Sequence, residues 1–489
     1  MNRFVICIAI AEKALAKPIE YTTREIPTKG WPRGQLFPRN RTNAPKFARA
    51  CEKIALSASA KHATKYLKVT MKIAVVGAGV VGIATAYELA TDGHTVTVFD
   101  KSAAACEEAS FANSGLVAPS MFLPYALPSA KGSAVLRFLD TGRRLTLSPW
   151  RSLQQMKSLR RWTHAYKPET HAKQLGIARQ LGRYSAERLA HVLDYNQMEV
   201  ERSEGQLVLV RTEQELQRFQ TDLEALKNLE IACKVLSPDE ARKLEPALHS
   251  AAPFHAALHL SADQVVNCRQ FALELKAITQ KMGVNYQFGA DLQDLGQQSH
   301  PTLTLLNTQG AETFTADHVV LCTSQVPRPL LATQHLHIPL VELHGYALSV
   351  AVREPLNAPR SAVHVLHDNL VINRLGNRIR VSAGAELGPK PQVKHEQVVN
   401  AMYRALELYF PGAANYPAGT QVWHGTRHAT TDGLPAVGPS GVPSVWLNIG
   451  HGACGWTWAC GSARLLADQI AGRPTTLTLT SMSPDRLSR

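Results

Sequence analysis

Between residues 72 and 99, short apolar runs flank a helical stretch, which predicts a strand–turn–helix–strand unit. Residues 72–76 form a continuous run of mostly β-branched side chains, which is typical of a buried parallel strand. A glycine-rich turn over 77–82 is followed by a helical stretch up to Thr91 and by a second strand over 95–99. This order of elements predicts an α/β fold built on a parallel sheet.

The far end of the chain repeats this arrangement. Residues 445–449 are another buried apolar run, residues 450–456 are a second glycine-rich loop, and residues 457–471 place small and apolar side chains at helical spacing. The two glycine loops stand about 370 residues apart. The sequence therefore predicts two separate helix N-termini, each preceded by glycines.

Between these ends the pattern changes from mixed to antiparallel. Residues 150–200 predict two helices broken near Lys167 and Pro168, and residues 267–282 predict a further helix. From about residue 341, short alternating strands separated by Asp-Asn and Gly-Asn turns predict an antiparallel sheet. No run of 18 apolar residues occurs that could cross a membrane as a helix.

Charge is uneven along the chain, which argues against a nucleic-acid-binding body. The 489 residues carry a formal net charge of +14, but residues 1–70 hold 14 Lys and Arg against 4 Asp and Glu. The remaining residues are close to balanced, so no groove for a phosphate backbone is implied. The eight cysteines include no CxxC pair, which predicts reduced thiols in a cytoplasmic protein and no metal site.

Residues 1–70 differ from the rest of the chain in composition and hydrophobic pattern. They combine five prolines and many basic residues with no sustained hydrophobic period, which predicts disorder. Our preferred interpretation is that Met71 begins the folded protein and that the upstream extension results from a misassigned start. The alternative is a targeting or nucleic-acid-binding tail.

The first glycine turn has the spacing of a dinucleotide-binding site. Gly77 allows a tight turn, Gly79 lets a pyrophosphate approach the backbone, and Gly82 lets helix and strand pack closely. The helix N-terminus offers unpaired N–H groups to phosphates, and Asp100 at the end of the second strand would accept hydrogen bonds from a ribose. The expected cofactor-binding residues here are Ile73, Val76, Gly77, Ala78, Gly79, Val80, Val81, Gly82 and Asp100.

The second glycine loop favours FAD over NAD as this dinucleotide. One helix N-terminus would bind the diphosphate, and the other would stabilise the negative charge that a flavin ring carries near N1 when reduced. The alternative is that this loop merely packs the C-terminal helix. The residues expected to contact the cofactor here are Gly450, His451, Gly452, Gly455 and Trp456.

Five stretches resemble the FAD-dependent D-amino-acid oxidoreductase family, most of all its bacterial D-amino-acid dehydrogenases. They are residues 73–82, 112–115, 377–381, 430–435 and 446–452. The resemblance extends from about residue 71 to 475. It implies a Rossmann-like FAD-binding domain with an inserted, mostly antiparallel substrate domain, and it adds Asn113, Ser114 and Gly115 to the FAD-binding residues.

With this resemblance, the chain divides into interleaved segments of two domains. The predicted segments are a disordered basic extension (1–70), a first FAD-binding segment (71–150), a helical and strand segment of the substrate domain (151–255), a second FAD-binding segment (256–340), the antiparallel sheet of the substrate domain (341–420), a third FAD-binding segment (421–478) and a tail (479–489).

An amino-acid substrate needs a cation for its carboxylate, and arginine supplies a planar fork for it. One candidate is Arg374, at the position where the resembling glycine oxidases carry their carboxylate-binding arginine. The other is Arg427, in a segment similar to that of eukaryotic D-amino-acid oxidases. Tyr346 is a candidate donor to the substrate, with simple packing as the alternative. His344 and His428 depart from the family pattern and point to polar substrates or an altered pH dependence.

The resemblance implies oxidative deamination of D-amino acids. A hydride passes from Cα to flavin N5, the imino acid hydrolyses to a 2-oxo acid and ammonia, and the electrons go to a quinone or another respiratory acceptor. The expected location is the cytoplasm, with peripheral association at the inner membrane as its variant, and no nucleic-acid partner is expected. The alternatives are an oxidase or dehydrogenase of another amine (sarcosine, glycine, D-hydroxyproline or an opine) and a flavin-bearing subunit that needs a partner.

Overall fold

The computed structural model describes residues 70–120, 168–228, 230–296, 300–323, 338–387 and 395–487. The predicted extension lies outside these residues except for Thr70, and so does the first of the two helices predicted over 150–200. No helix in the described residues is long and apolar enough to cross a membrane.

The strands, numbered in chain order over the described residues, are β1 Lys72–Val76, β2 Thr95–Asp100, β3 Leu116–Val117, β4 Arg202–Val210, β5 Cys233–Leu236, β6 Ala256–Val266, β7 Asn285–Phe288, β8 Asp291–Leu295, β9 Thr302–Asn307, β10 Gly310–Thr315, β11 His318–Leu321, β12 Leu340–Val352, β13 Ala362–Val365, β14 Leu370–Leu375, β15 Arg378–Leu387, β16 Ala414–Thr430, β17 Ala436–Pro439 and β18 Val445–Ile449. The helices are α1 Val80–Thr91, α2 Pro168–Tyr195, α3 Glu213–Arg218, α4 Gln220–Asn228, α5 Pro238–Leu244, α6 Cys268–Lys281, α7 His395–Tyr409 and α8 Gly455–Ile470.

A six-stranded sheet in the order β17-β18-β11-β1-β2-β7 forms the first layer of the fold. The strands from β18 to β7 pair in parallel, and β17 pairs antiparallel with β18. In β1, Ile73 and Val75 share a core with α1 and α8, whereas Ala74 and Val76 share one with the small sheet of β8, β9 and β10. Because both faces are covered, the strand is apolar from Ile73 to Val76, as the sequence predicts, and Lys72 at its start is exposed.

A nine-stranded, mostly antiparallel sheet forms the second layer. Its order is β16-β12-β15-β14-β13-β4-β6-β3, with β5 paired to β6. The longest strand, β16, pairs with β12 from Leu340–Thr430 to Val352–Ala414. Its end reaches the second glycine loop, since Ala429 forms a bridge with His451. The predicted α/β class with an inserted antiparallel sheet is therefore confirmed.

A buried ionic network joins the helices that follow the two glycine turns. Glu88 of α1 is 1% exposed and accepts from Arg188 of α2 at 2.6 Å and from Arg464 of α8 at 2.8 Å. Arg464 also binds Asp92, at the C-terminal end of α1, at 2.6 Å. Removing one partner of such a buried ion pair leaves the other charge buried and unpaired, which destabilises the fold. The network therefore holds α1 and α8 together, and with them the two glycine turns.

Two strands do not follow the predicted domain segments. β6 begins at Ala256, the predicted start of a cofactor-binding segment, yet it pairs with β3 and β4 in the nine-stranded sheet. β16 continues through the predicted boundary between residues 420 and 421. Composition and turn signals mark where strands begin and end. They do not mark which sheet a long strand joins, because its partners lie far away along the chain.

The predicted tail packs against the body. Leu479, Met482 and Leu487 are buried, and the backbone N–H of Val437 donates to the carbonyl of Met482 at 2.9 Å. Arg486 donates to both carboxylate oxygens of Asp432, at 2.6 and 3.0 Å. This short segment therefore closes the edge of the six-stranded sheet beside β17.

Candidate functional site

At the first glycine turn, backbone segments approach each other so closely that a side chain would not fit at Gly77 or Gly82. Gly77 has a φ of +112°, and a Cβ there would lie 2.9 Å from the carbonyl oxygen of Cys322. A Cβ on Gly82 would overlap the carbonyl oxygen of Gly77. Gly79 is the N-cap of α1, and the N–H of Val80 after it donates to Ser110 Oγ at 3.1 Å. Gly79, Val80 and Val81 all line the cavity, so the helix N-terminus faces it.

Asp100 is anchored at the same turn. Its Oδ2 accepts from the backbone N–H of Ala78 at 2.5 Å, and its Oδ1 accepts from the N–H of Ser102 at 2.8 Å. The residue also lines the cavity. A carboxylate that is fixed in this way keeps lone pairs for a ligand hydroxyl, so its position suits the predicted ribose contact.

The segment of Asn113, Ser114 and Gly115 is held by Asn373 and Arg380, which sequence reasoning did not name as site residues. The Oδ1 of Asn113 accepts from the N–H of Gly115 at 2.9 Å, which closes a local turn. The carbonyl of Asn113 accepts from Arg380 Nη1 at 2.8 Å, and the carbonyl of Ser114 accepts from Asn373 Nδ2. Burial, followed by the neighbouring Arg378, lowers the pKa of Arg380 to about 10, so it stays a cation at neutral pH.

The second glycine turn opens onto the same cavity. Gly450 has a φ of +75°, and a Cβ there would lie 2.6 Å from Thr430 Cγ2. A 3₁₀ turn over Gly452–Cys454 leads into α8, whose N-cap Cys454 makes no side-chain capping bond. Trp456 in the first turn of α8 donates from Nε1 to the carbonyls of Gly115 and Val266 at 3.2 and 3.0 Å. Two helix N-termini thus face one cavity of about 310 Å³.

A side-chain link connects the two turns underneath the cavity. Asn448, on the strand before the second turn, donates from Nδ2 to Thr85 of α1 at 3.1 Å. Thr85 donates in turn to the carbonyl of Val81 at 2.7 Å. The Oδ1 of Asn448 is buried and has no hydrogen-bond partner among the described residues, and Asn448 lines the cavity. A buried acceptor without a partner is costly. Together with the two helix N-termini at the cavity, it fits a bound polar cofactor.

Most predicted site residues meet at this cavity. Those that line it are Val76, Gly77, Gly79, Val80, Val81, Asp100, Asn113, Ser114, Tyr346, Arg427, Gly450, His451, Gly452, Gly455 and Trp456. Those that do not are Ile73, Ala78, Gly82, Gly115 and Arg374. Ile73 and Ala78 are fully buried in the core behind the turn, so packing accounts for both side chains.

The structure places Arg374 away from the cavity-lining residues. Its Nε donates to the carbonyl of Gly376 at 2.7 Å, within its own hairpin. Along β14, Val371 lines the cavity and Asn373 reaches the Ser114 carbonyl. Side chains alternate along a strand, so Arg374 lies on the opposite face. Of the two arginine candidates, the structure brings Arg427 to the cavity.

Tyr346 touches the cavity, but its ring points largely the other way. The residue is 3% exposed, belongs to the apolar core behind the nine-stranded sheet, and packs against His424 with ring centroids 4.9 Å apart. His344 stacks on the same His424 at 5.4 Å and shares a hydrogen bond of 3.1 Å with Thr426. A role for Tyr346 in substrate binding stays a prediction.

Two histidines at the cavity are held neutral. Burial lowers the pKa of His451 to about 3, and its Nε2 lies 3.1 Å from the hydroxyl of Ser462. Burial lowers the pKa of His428 to about 4, although its Nε2 lies 3.9 Å from a carboxylate oxygen of Glu342. Neither ring therefore adds positive charge to the cavity at neutral pH.

Stability is expected to fall as the pH is lowered from about 6.5 to about 4, because both rings titrate near pH 6.5 in the unfolded chain. The unfolded state binds more protons in this window, so the free energy of unfolding rises with pH across it. His428 alone removes about 2 to 3 kcal/mol by pH 4.5. Urea unfolding at pH 7 and pH 4.5 measures the loss. His428→Gln should lose less between these two pH values than the unsubstituted protein, and an equal loss would refute the assignment.

Four further residues that sequence reasoning did not name as site residues line or support the cavity: Asn373, Arg380, Trp423 and Asn448. Asn448 carried a signal, because it is a polar residue inside a buried strand directly before a glycine loop. Arg380 lies in one of the stretches that carry the family resemblance, 377–381, but neither it nor Asn373 could be paired with the Asn113–Ser114 segment from the sequence, because the partners lie about 260 residues apart.

Known proteins match nearly all of the described residues. Residues 72–469 match the DAO family model, described as FAD dependent oxidoreductase. A D-amino acid dehydrogenase of Cereibacter sphaeroides is 32% identical over 427 residues, which are 86% of this chain and 97% of that relative. A D-amino acid dehydrogenase of Rhodopseudomonas palustris is 33% identical over 409 residues, 82% of this chain and 94% of the relative.

Solved structures share the fold at lower identity. Glycine oxidase from Geobacillus kaustophilus superposes with a TM-score of 0.61 at 21% identity, covering 85% of this chain and 98% of its own. Iminodiacetate oxidase from Chelativorans sp. BNC1 gives 0.62 at 20% identity, covering 84% and 98%. The predicted Rossmann-like fold and the predicted cofactor, FAD, are confirmed. The chain belongs to the DAO family of FAD-dependent oxidoreductases.

Proposed function

We propose that this oxidoreductase is a D-amino-acid dehydrogenase. The observation that carries the proposal is Arg427, a fork-shaped cation in the cavity wall. It stands two residues before Ala429, which bridges to His451 in the second glycine turn. A carboxylate bound by Arg427 would place its Cα near the end of the cavity where α8 begins. The names of the relatives, at 32–33% identity, support the same substrate class.

The reaction removes a hydride from Cα and a proton from the amine, which leaves an imino acid. Water then hydrolyses the imino acid to a 2-oxo acid and ammonia. FAD, when bound, supplies the hydride acceptor. In this proposal the first glycine turn and Asp100 hold its diphosphate and ribose, and the α8 N-terminus together with Asn448 lies at its ring.

The chain's own role is to bind and orient the substrate. Arg427 binds the carboxylate and so holds the substrate in one orientation for the reaction. The cavity-lining residues of β12 to β16 include no Asp or Glu among the residues that the structure describes. The acids that line the cavity, Asp100, Glu107, Glu108 and Asp291, come from other elements. In this proposal the substrate enters with its amine already neutral, so no carboxylate base on this sheet is required.

We take the electron acceptor to be a quinone or another respiratory carrier, reached at the cytoplasmic face of the inner membrane. The word dehydrogenase in the names of the relatives supports an acceptor other than oxygen. Oxidation of glycine or of an iminodiacid is the competing activity, since the neighbours of similar fold carry those names.

Anaerobic mixing of the purified flavoprotein with D- and L-amino acids tests the proposal. Loss of flavin absorbance with D-amino acids, but not with their L-enantiomers or with iminodiacetate, is the expected result. Reoxidation by a soluble quinone, without hydrogen peroxide on admission of air, is expected for the acceptor. Reduction by L-amino acids alone, or by none of these amines, would refute the proposed function.

A further inference from the structure

Two glycines face each other on neighbouring strands at the substrate end of the cavity. Gly345 of β12 and Gly425 of β16 are directly opposed in antiparallel register. Their shared face of the sheet is therefore bare backbone at this point. Residues two apart in a strand share a face, so Trp423 and Arg427 belong to the same face. Gly345, Trp423 and Arg427 all line the cavity.

Both bare positions are covered by side chains of β16. A Cβ on Gly345 would overlap Nη2 of Arg427 and would lie 3.1 Å from its Cζ. A Cβ on Gly425 would overlap the six-membered ring of Trp423 and would lie 2.8 Å from its Cζ3. The guanidinium therefore rests against one glycine, and the indole rests against the other.

The two glycines fix the distance between the guanidinium of Arg427 and the indole of Trp423. Directly opposed residues of an antiparallel pair have Cβ positions about 4.5–5.5 Å apart. The guanidinium of Arg427 and the indole of Trp423 thus lie side by side, separated by roughly the span between the carboxylate and the side chain of one amino acid. The indole offers the cavity a flat apolar surface next to the carboxylate-binding cation.

We propose that the Gly345–Gly425 pair positions Arg427 and Trp423 as a two-sided clamp, whose substrates are D-amino acids with an apolar or aromatic side chain lying on the indole. The substrate class rests on the proposed function. A cationic substrate side chain lying on the indole would stand close to the like charge of Arg427, which is unfavourable. In this account Gly345 is a positioning residue, and Trp423 determines specificity.

Gly345→Ala tests the positioning half. The added methyl meets the far end of a flexible side chain, so the fold and the FAD content should be kept while the guanidinium is displaced. We expect KM for D-phenylalanine to rise at least 10-fold with kcat changed less than 3-fold. The dissociation constant of benzoate, a carboxylate that cannot be oxidised, should rise in parallel when read from flavin absorbance. Gly296→Ala is the control, because its Cβ would make only ordinary contacts from 3.5 Å outward.

Trp423→Leu tests the specificity half. We expect kcat/KM for D-phenylalanine to fall at least 10-fold more than kcat/KM for D-alanine, and Trp423→Phe to recover some of that difference because it keeps a flat ring. Equal losses for both substrates would overturn the role of the indole. If Gly345→Ala fails to retain FAD, Gly425→Ala replaces it, with the larger loss expected on D-phenylalanine.

The outcomes separate the two proposals. A wild-type flavin that no D-amino acid reduces defeats the proposed function. A wild-type flavin that is reduced, with benzoate affinity and KM unaltered in Gly345→Ala, defeats the clamp alone. A raised benzoate dissociation constant in Gly345→Ala, with Gly296→Ala unchanged, supports the clamp.

Discussion

An Arg427→Met variant is expected to lose at least about 1000-fold in kcat/KM for D-amino acids while keeping its FAD, since such a loss corresponds to roughly 4 kcal/mol of transition-state stabilisation. The guanidinium would supply two parallel, charge-assisted hydrogen bonds to the carboxylate. Without them the substrate loses both binding energy and the orientation of its Cα. Methionine keeps the length and apolar stem, so the comparison isolates the charged fork. Steady-state kinetics and the flavin spectrum measure the two effects.

Arg374→Met is the matched control for this experiment. The same residue type is removed from the neighbouring sheet region, but from the face turned away from the cavity, where it bonds the Gly376 carbonyl. Its kcat/KM should stay within about threefold of the original value, because nothing that touches substrate is changed. Arg427→Lys should recover only some of the loss, since an ammonium lacks the fork. Comparable losses in Arg374→Met and Arg427→Met would contradict the assignment.

The choice between these two arginines shows where prediction from sequence ends. Both lie in strands, next to turns, in segments that resemble arginine-bearing segments of known enzymes. A strand reverses the side of each successive residue, so a one-residue difference in register moves a cation from the site to the opposite face. Register depends on partners far along the chain: β14 pairs with β15 and β13, and β16 with β12. No local pattern contains that information.

The first glycine turn was predictable for the opposite reason. Each glycine meets a steric need: a positive φ at Gly77, a Cβ position only 3.3 Å from Ser110 Oγ at Gly79, and a close approach of α1 to the turn at Gly82. Strand, turn, helix and acid also follow one another within about 30 residues. A constraint that both acts locally and tolerates only one residue type is visible in a single sequence.

The second glycine turn lies between these cases. Its loop and helix are local features, but its meeting with the first turn depends on β18 pairing with β11, which in turn pairs with β1. The expectation that both turns serve one ligand came from chemistry, because a flavin has both a diphosphate and a ring that becomes negative. The structure adds the physical connection, through Asn448 and Thr85 and through the ions around Glu88 and Arg464.

Gly82→Ala is expected to abolish stable FAD binding, because its Cβ would overlap the carbonyl oxygen of Gly77. That oxygen belongs to backbone, and Gly77 is itself confined by the carbonyl of Cys322, directly after β11. Neither side can yield as a flexible side chain would. Helix α1 must therefore move away from the turn, which pulls its N-terminus from the phosphate position and loosens the core of α1 and β1. We expect a loss of more than about 4 kcal/mol of stability.

Flavin content, absorbance and thermal unfolding measure this effect. Tm should fall by about 5 °C or more, and the protein should be isolated largely without flavin. Gly176→Ala is the matched control, since it is also a helix glycine but has no atom within 4 Å of its added Cβ. Alanine there should leave flavin content unchanged and stability equal or slightly higher, as helix propensity predicts. Full flavin content and an unaltered Tm in Gly82→Ala would mean that α1 does not pack closely against the Gly77 carbonyl. The steric explanation of the first glycine turn would then be wrong.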